Sequence, residues 1–391
     1  MNIRTINELG DIRGKFILLR DDFNVQIKNG KIIDAFRIDQ SMPTINWLRK
    51  SGARVAICAH LGRPGGTFNP EYTLRPVADY LKIPLISDCL DKSFMDKMQD
   101  GDVVLLENVR FYMEEEENDL EFAKKLASGF DIFINDAFAV SHRAHASTQG
   151  ITKFLPSYAG KLLSDEIEKL TLIMENPIRP LIGIIGGGKL DTKINILESL
   201  ANRCDTLIIG GGLGTAFALS SGQYNWTDDL YKSEYKPVIK KILETAKNKG
   251  CKIIIPIDKG TGLQLAETAK RTDKLLSNIS ENDVIMDDGP LSVEQYKQVI
   301  DDAKTLVWNG TLGKSEWGDI WGRSTFEMIR YIAKRTKDGK LISIIGGGDS
   351  VTATEVTDTK QDMTYISTGG GAFLEFIEGK NLPGISALKK K

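Results

Sequence analysis

Four times in this sequence a short run rich in isoleucine and leucine ends in three consecutive glycines: LIGIIGGG at Leu181–Gly188, TLIIGGG at Thr206–Gly212, LISIIGGG at Leu341–Gly348 and YISTGGG at Tyr365–Gly371. Short apolar runs closed by glycine read as buried strands, and here they alternate with helical patterns from one end of the chain to the other. That alternation predicts an α/β fold of βαβ units with parallel sheets flanked by helices. The four glycine exits then fall along one edge of one sheet, where open α/β sheets take their ligands. In the third exit, Gly346, Gly347 and Gly348 let the backbone approach an anion closely. The helical pattern that opens at Asp349 and Ser350 supplies unpaired N–H groups and a positive dipole end. A carboxylate beside polyphosphate suits Mg²⁺, which makes Asp349 the candidate metal ligand.

At 391 residues the chain suits two domains of ordinary size. In the first part strands are expected near Phe16–Leu19, Arg54–Cys58, Val103–Leu106 and Asp131–Asn135, with helices over Ile38–Ser51, Leu74–Leu81 and Leu120–Ser128. A long amphipathic pattern from Tyr158 to Glu175 reads as a linker helix, ended by Pro177 and Pro180. The second part predicts strands near Leu181–Ile185, Thr206–Ile209, Lys252–Pro256, Asp283–Met286, Thr305–Trp308, Leu341–Ile345 and Thr364–Ser367. Charge balance argues against a nucleic-acid or membrane-surface role and for a small-molecule partner, since 51 basic residues face 53 acidic ones. The first residues hold no apolar signal segment and no run reaches membrane-span length, so a soluble, cytoplasmic protein is expected. Cys58, Cys89, Cys204 and Cys251 are scattered without a CxxC pair, which points to reduced, buried thiols.

The first part carries a different chemistry from the glycine turns. Asp22 and Asn24 in RDDFNV, Arg37, His60 and Arg63 in AHLGRP, Arg110, and His142, Arg143 and His145 in SHRAH fall at predicted strand ends and loops. Arginine suits bidentate recognition of carboxylate and phosphate, and Arg63, Arg110 and Arg143 each follow an apolar run, so a basic pocket for a small anion is expected. For Arg20 a plain ion-pair role stays equally open. The acidic run Glu114–Glu117 reads as a solvated loop or helix start. His142 and His145, three apart with no neighbouring cysteine, read as polar donors ahead of metal ligands. Gly183–Lys189 fits GxxxxGK, but Leu190 stands where a P-loop places Ser or Thr, and no triplet extends to GxGxxG. An anion-binding half and a nucleotide-phosphate half remain, an arrangement suited to phosphoryl transfer.

From RDDFNV at Arg20 to EGKNLPGISAL at Glu378–Leu388, the order and spacing of these motifs resemble the phosphoglycerate kinase family. The resemblance implies two Rossmann-like domains separated by a cleft: an N-terminal domain over 1–157 joined by a C-terminal tail over about 376–391, an interdomain helix over 158–176, and a nucleotide-binding domain over 177–375. It implies reversible transfer of the acyl phosphate of 1,3-bisphosphoglycerate to ADP, giving 3-phosphoglycerate and ATP, with Mg²⁺, in a cytoplasmic monomer. Asp22, Phe23, Asn24, Arg37, His60, Leu61, Gly62, Arg63, Arg110 and Arg143 match the family's 3-phosphoglycerate positions. Gly187, Lys189, Lys193, Gly211, Gly212, Asn309, Glu316, Gly346, Gly347, Gly348, Asp349 and Ser350 match its nucleotide positions, with Asp349 at the metal. Arg37, Lys189 and Lys193 would be catalytic.

The sequence departs from the family pattern at Asp21, Ala139, Val140 and Asp288 beside ligand positions, and at Thr215, Thr311, Lys314 and Ser315 around the expected base pocket. These departures leave open a second reading, a catalytically weakened homologue that binds nucleotide or a protein partner. Retention of Arg37, Lys189, Lys193 and Asp349 favours the active enzyme, because a pure binding module needs no transition-state cations.

Overall fold

The computed structural model describes residues 2–224, 226 and 232–390. The chain divides into two compact units, Met1–Glu168 with Asn381–Lys391, and Lys169–Lys380. The division falls inside a helix, Lys161–Glu175.

The first unit is built on a six-stranded parallel sheet. Its strands are β1 (Phe16–Arg20), β4 (Arg54–Cys58), β5 (Leu85–Ile86), β6 (Val103–Leu106), β7 (Ile132–Asn135) and β8 (Ser157–Ala159), in the order β5-β6-β4-β1-β7-β8. A two-stranded hairpin, β2 (Ile27–Lys28) and β3 (Lys31–Ile32), lies beside it in sequence. A parallel sheet is covered on both faces, which is why its strands read as unbroken apolar runs. Ile17, Leu19, Val55 and Ile57 point into one core while Leu18, Ala56 and Cys58 point into the other, the period-two alternation of a strand. Each such side chain contributes roughly 1.5–3 kcal/mol on burial. Helix Leu120–Ala127 begins where Asp119 accepts from the Phe122 N–H at 2.7 Å and ends on Lys124 and Lys125, a capped helix with cations at its negative end.

The C-terminal ends of β6, β4, β1 and β7 lie side by side on this sheet. The residues singled out from sequence follow them: Arg110 after β6, His60–Arg63 after β4, Asp22–Asn24 after β1 and Arg143 after β7. Arg37 is the second residue of helix Phe36–Lys50. The tail closes on the same unit, with the Gly384 N–H donating to Ser141 O at 2.9 Å and Arg4 N–H to Leu388 O at 2.9 Å.

The second unit repeats the plan with β9 (Leu181–Ile185), β10 (Thr206–Ile209), β11 (Lys252–Ile254), β15 (Thr305–Asn309), β16 (Ile342–Gly346) and β17 (Tyr365–Ile366), ordered β11-β10-β9-β15-β16-β17 and all parallel. Register places Ile209, Ile185, Asn309 and Gly346 in one row at the strand ends, so the glycine turns share one sheet edge, as the sequence predicts.

Two expectations are corrected. The run Asp283–Met286 is not a strand of the parallel sheet: β12 (Asp258–Gly262), β13 (Thr272–Leu275) and β14 (Val284–Asp288) form a separate antiparallel sheet, joined by links too short for helical crossovers. The helix expected from Tyr158 starts at Lys161, because Ser157–Ala159 pairs with β7 instead. The acidic run Glu114–Glu117 falls on the short helix Met113–Glu116, the helix start that is one of its two expected readings, but Glu115 turns inward and is wholly buried. The four cysteines are free and buried, as expected. Among the described residues no helix is long and apolar enough to cross a membrane.

Candidate functional site

In the first unit the strand ends gather a basic cluster. The Arg37 Nη1 donates to Asp22 Oδ2. Asn24 Oδ1 accepts the Gly62 N–H at 2.9 Å, and the Arg110 Nη1 donates to Gly62 O at 2.8 Å, which ties three strand ends together. Gly62 has φ of +61°, and a Cβ there would meet the Tyr72 ring at 2.3 Å, so only glycine fits this turn. Phe23 and Leu61 are buried anchors for the flanking segments. Arg63 is exposed and, among the described residues, has no hydrogen bond or ion pair. Arg110 is buried, with its Nε 3.3 Å from Glu116 Oε1 and its Nη2 lacking a hydrogen-bond partner. Burial pulls its pKa down to about 10, which keeps it charged at neutral pH. An enclosed guanidinium with a spare donor fits an anionic guest.

His60 is buried, and desolvation followed by the charges of Arg20, Arg110, Arg37 and Arg143 holds its pKa well below the ordinary value. The ring is therefore neutral. Its Nδ1 lies 3.4 Å from the Arg20 Nη2, an obligate donor, so Nδ1 accepts and Nε2 carries the proton. The 3.7 Å approach to Asp22 Oδ1 is accordingly not an ion pair. His145 is likewise depressed, to about 3, by burial and then by Arg110, Arg20 and Arg143. The same arginines act on both rings, which places them in one field.

Arg20 is wholly buried, its Nε donating to Ser147 Oγ at 2.7 Å, a structural role. Two functional supports escaped the sequence reading. Glu115 accepts from the Ser147 N–H at 2.8 Å and its hydroxyl at 2.6 Å, fixing the loop that carries Arg143, and Glu116 faces Arg110. The four adjacent carboxylates were the only signal, and an acidic run gives no hint that one member turns inward. Arg143 Nε donates to His142 Nε2 at 3.3 Å.

In the second unit a pocket of about 220 Å³ opens at the glycine edge. Gly187, Gly188, Gly211, Gly212, Thr311, Gly313, Lys314, Glu316 and Asp349 line it, with Ile285, Met286 and Leu312 as apolar wall and Lys259 and Asp287 among its charged groups. Asp349 sits in the first turn of helix Gly348–Val356, exposed, and within the electrostatic reach of Lys193. Lys189 is exposed. Lys193 donates its Nζ to Asn309 Oδ1, and burial lowers its pKa. Asn309 also gives its Nδ2 to Gly346 O at 2.8 Å, and Ser350 Oγ accepts the Gly310 N–H at 2.8 Å. These two side chains therefore lock the turns around Gly346, Gly347 and Gly348; neither lines the pocket. Thr215 does not line it either: it is buried, with its hydroxyl on Gly211 O at 3.3 Å. Ser315 begins a short 3₁₀ turn through Trp317, so of the departures near the expected base only Thr311 and Lys314 reach the pocket.

Two α/β units built on parallel sheets, one presenting a caged arginine cluster and the other a glycine-lined pocket bordered by the exposed carboxylate of Asp349, have the make-up of a phosphotransferase that works on a small anion and a nucleotide. Residues 6–380 match the model of the family described as phosphoglycerate kinase. Phosphoglycerate kinases of Chelativorans sp. and Borreliella afzelii are each 41% identical to this chain, over 99% of both sequences in the first case and 100% in the second. The fold is similar to the solved phosphoglycerate kinases of Coxiella burnetii (TM-score 0.88, 39% identity, 99% of this chain and 98% of that one) and Pyrococcus horikoshii (TM-score 0.83, 28% identity, the same coverage). The chain belongs to the phosphoglycerate kinase family.

Proposed function

We propose that this chain catalyses reversible transfer of the acyl phosphate of 1,3-bisphosphoglycerate to ADP, giving 3-phosphoglycerate and ATP. The observation that carries this is the match to the family over residues 6–380, which spans both units. The relatives give no support to the binding-only alternative.

Asp22, Asn24, Arg37, His60, Arg63, Arg110 and Arg143 hold 3-phosphoglycerate in this reading. The spare Arg110 donor and the neutral His60 Nε2–H support it. In the ATP-consuming direction the nucleophile is a carboxylate already ionised at neutral pH, so no general base is needed. What remains is placement and stabilisation of charge on the transferring group. Arg37, Lys189 and Lys193 supply that charge, and Lys193 comes pre-aimed by Asn309. The first of these belongs to one unit and the lysines to the other.

The nucleotide occupies the glycine-lined pocket. A hard cation that accompanies polyphosphate takes oxygen ligands, which a carboxylate on the pocket wall would supply. Asp349, exposed and on the pocket wall, is the residue that would hold Mg²⁺. The ion, when bound, neutralises phosphate charge. We place the enzyme in the cytoplasm as a monomer.

The test is a coupled assay with 3-phosphoglycerate and MgATP in which the acyl phosphate is consumed by a reductive reporter. Signal that depends on both substrates is the expected result. Its absence in folded protein would overturn the assignment.

A further inference from the structure

The chemistry above makes no use of a fully buried ion pair beneath the pocket. Lys259 on β12 and Asp288 at the end of β14 face each other in register, with Nζ and Oδ1 2.6 Å apart and neither side chain exposed. The Tyr296 hydroxyl donates to Asp288 Oδ2 at 3.0 Å. The remaining contacts converge on one glycine. The Gly211 N–H lies 3.1 and 3.2 Å from the two Asp288 oxygens, and the Lys259 Nζ donates to Gly211 O at 2.7 Å. Gly211 is therefore gripped at both of its polar backbone atoms.

Gly211 opens helix Gly211–Ser220 with φ of +61°, and a Cβ on it would stand 3.0 Å from Thr311 O. It lines the pocket, as do Gly212 and Lys259. A helix N-terminus of this kind ordinarily attracts a ligand anion, but here the Asp288 carboxylate already takes it. Stability does not account for the pair. A buried ion pair can often be replaced by apolar side chains of similar size at little or no loss. An apolar pair, however, has nothing with which to hold a peptide N–H and C=O in place.

We infer that Lys259 and Asp288 are positioning residues, which fix the Gly211–Gly212 wall of the pocket and thereby set how tightly the nucleotide is held. This rests on the reading of that pocket as the nucleotide site. The contribution is made to binding on one side of the reaction only, so it belongs in the KM for nucleotide and not in the KM for 3-phosphoglycerate.

The decisive variant is the double Lys259→Met/Asp288→Leu, which removes both charges together and leaves neither buried alone. Its melting temperature, kcat and the two KM values are compared with those of the unaltered chain. A loosened wall raises the nucleotide KM by about tenfold or more, because small misplacements of positioning groups are costly, and the 3-phosphoglycerate KM moves by less than about twofold. Tyr296→Phe, which takes only one hydrogen bond from Asp288 and lies off the pocket wall, should raise the nucleotide KM by about twofold to threefold. A folded double variant with an unchanged nucleotide KM, or with both KM values raised alike, overturns the inference. Should the double variant fail to fold, an unchanged nucleotide KM in Tyr296→Phe does so. Failure of the underlying reading is distinct: the unaltered chain would then show no MgATP-dependent phosphorylation of 3-phosphoglycerate.

Discussion

Asp136, the residue that follows β7, gives a prediction whose size comes from its surroundings. Its side chain is wholly buried, and its Oδ1 accepts the Leu163 N–H at 2.9 Å near the start of helix Lys161–Glu175. Burial, opposed by the Leu163 and Thr44 hydrogen bonds and assisted by Asp165, raises its pKa from 3.8 to about 7. A carboxyl with a raised folded pKa favours the protonated native state. Its stabilising share is complete below about pH 3.8 and is lost as pH rises through about 7. At 1.36 kcal/mol for each pKa unit, the full swing is on the order of 4 kcal/mol. Asn keeps the oxygen acceptor and cannot ionise. Asp136→Asn should therefore gain stability over the unaltered chain as pH rises, by roughly 2–3 kcal/mol between about pH 5 and pH 8. Asp21, whose pKa is also raised by burial and by Asp136, is raised less in the variant, so it loses less stability as pH rises and adds to the gain. His60 and His145 titrate in both proteins, so their opposite contribution, lost as pH falls, cancels in the difference. Urea unfolding of both proteins across this range is the assay. A difference that is flat with pH, or that shrinks toward pH 8, would refute the argument.

Arg37→Ala should lower turnover by ~10²–10³ through loss of one preorganised cation, with nucleotide affinity nearly intact; steady-state kinetics beside nucleotide calorimetry check it. Asp349→Asn should weaken Mg²⁺-nucleotide binding without touching 3-phosphoglycerate, and equal losses for both ligands in calorimetry would point to misfolding instead. Lys314 holds its ammonium 4.8 Å from the Trp317 ring centroid while lining the pocket. A polar wall of this kind should keep the preference for ATP over GTP and ITP below roughly a hundredfold, about 2.7 kcal/mol, and Lys314→Val should raise it; an unaltered enzyme already above that ratio sinks the idea.

How much of this was legible in the sequence depended on the distance over which a residue finds its partner. The strands Arg54–Cys58, Val103–Leu106, Leu181–Ile185 and Thr206–Ile209 match the sequence reading residue for residue, because a strand covered on both faces announces itself by its own apolar run. Strands of two or three residues such as β5 and β8 have no such signal, and β12, with the sequence DKGTG, is buried through polar pairing that no hydropathy pattern reveals. The same division runs through the site. Residues that follow strand ends could be picked out one at a time, and the structure brings Asp22, Asn24, Arg37, His60, Arg110 and Arg143 together. The groups that hold them could not. Glu115 meets Ser147 across 32 residues, and Lys259 meets Gly211 across 48.

Asp288 shows the consequence. Read alone, Asp288 is a departure from the family pattern beside a ligand position, and a buried carboxylate without compensation would be strongly unfavourable there. Its compensation lies 29 residues earlier, in a lysine that looks like any other surface cation until β12 and β14 are paired. With Lys259 in place the departure is no longer damage but a two-residue unit, and a change at either position alone would leave a buried charge. Departures from a family pattern near a ligand are thus to be judged in pairs, after the sheet register is known: Asp21 beside Asp136 and Ser41, and Thr215 on Gly211 O, answer to the same test.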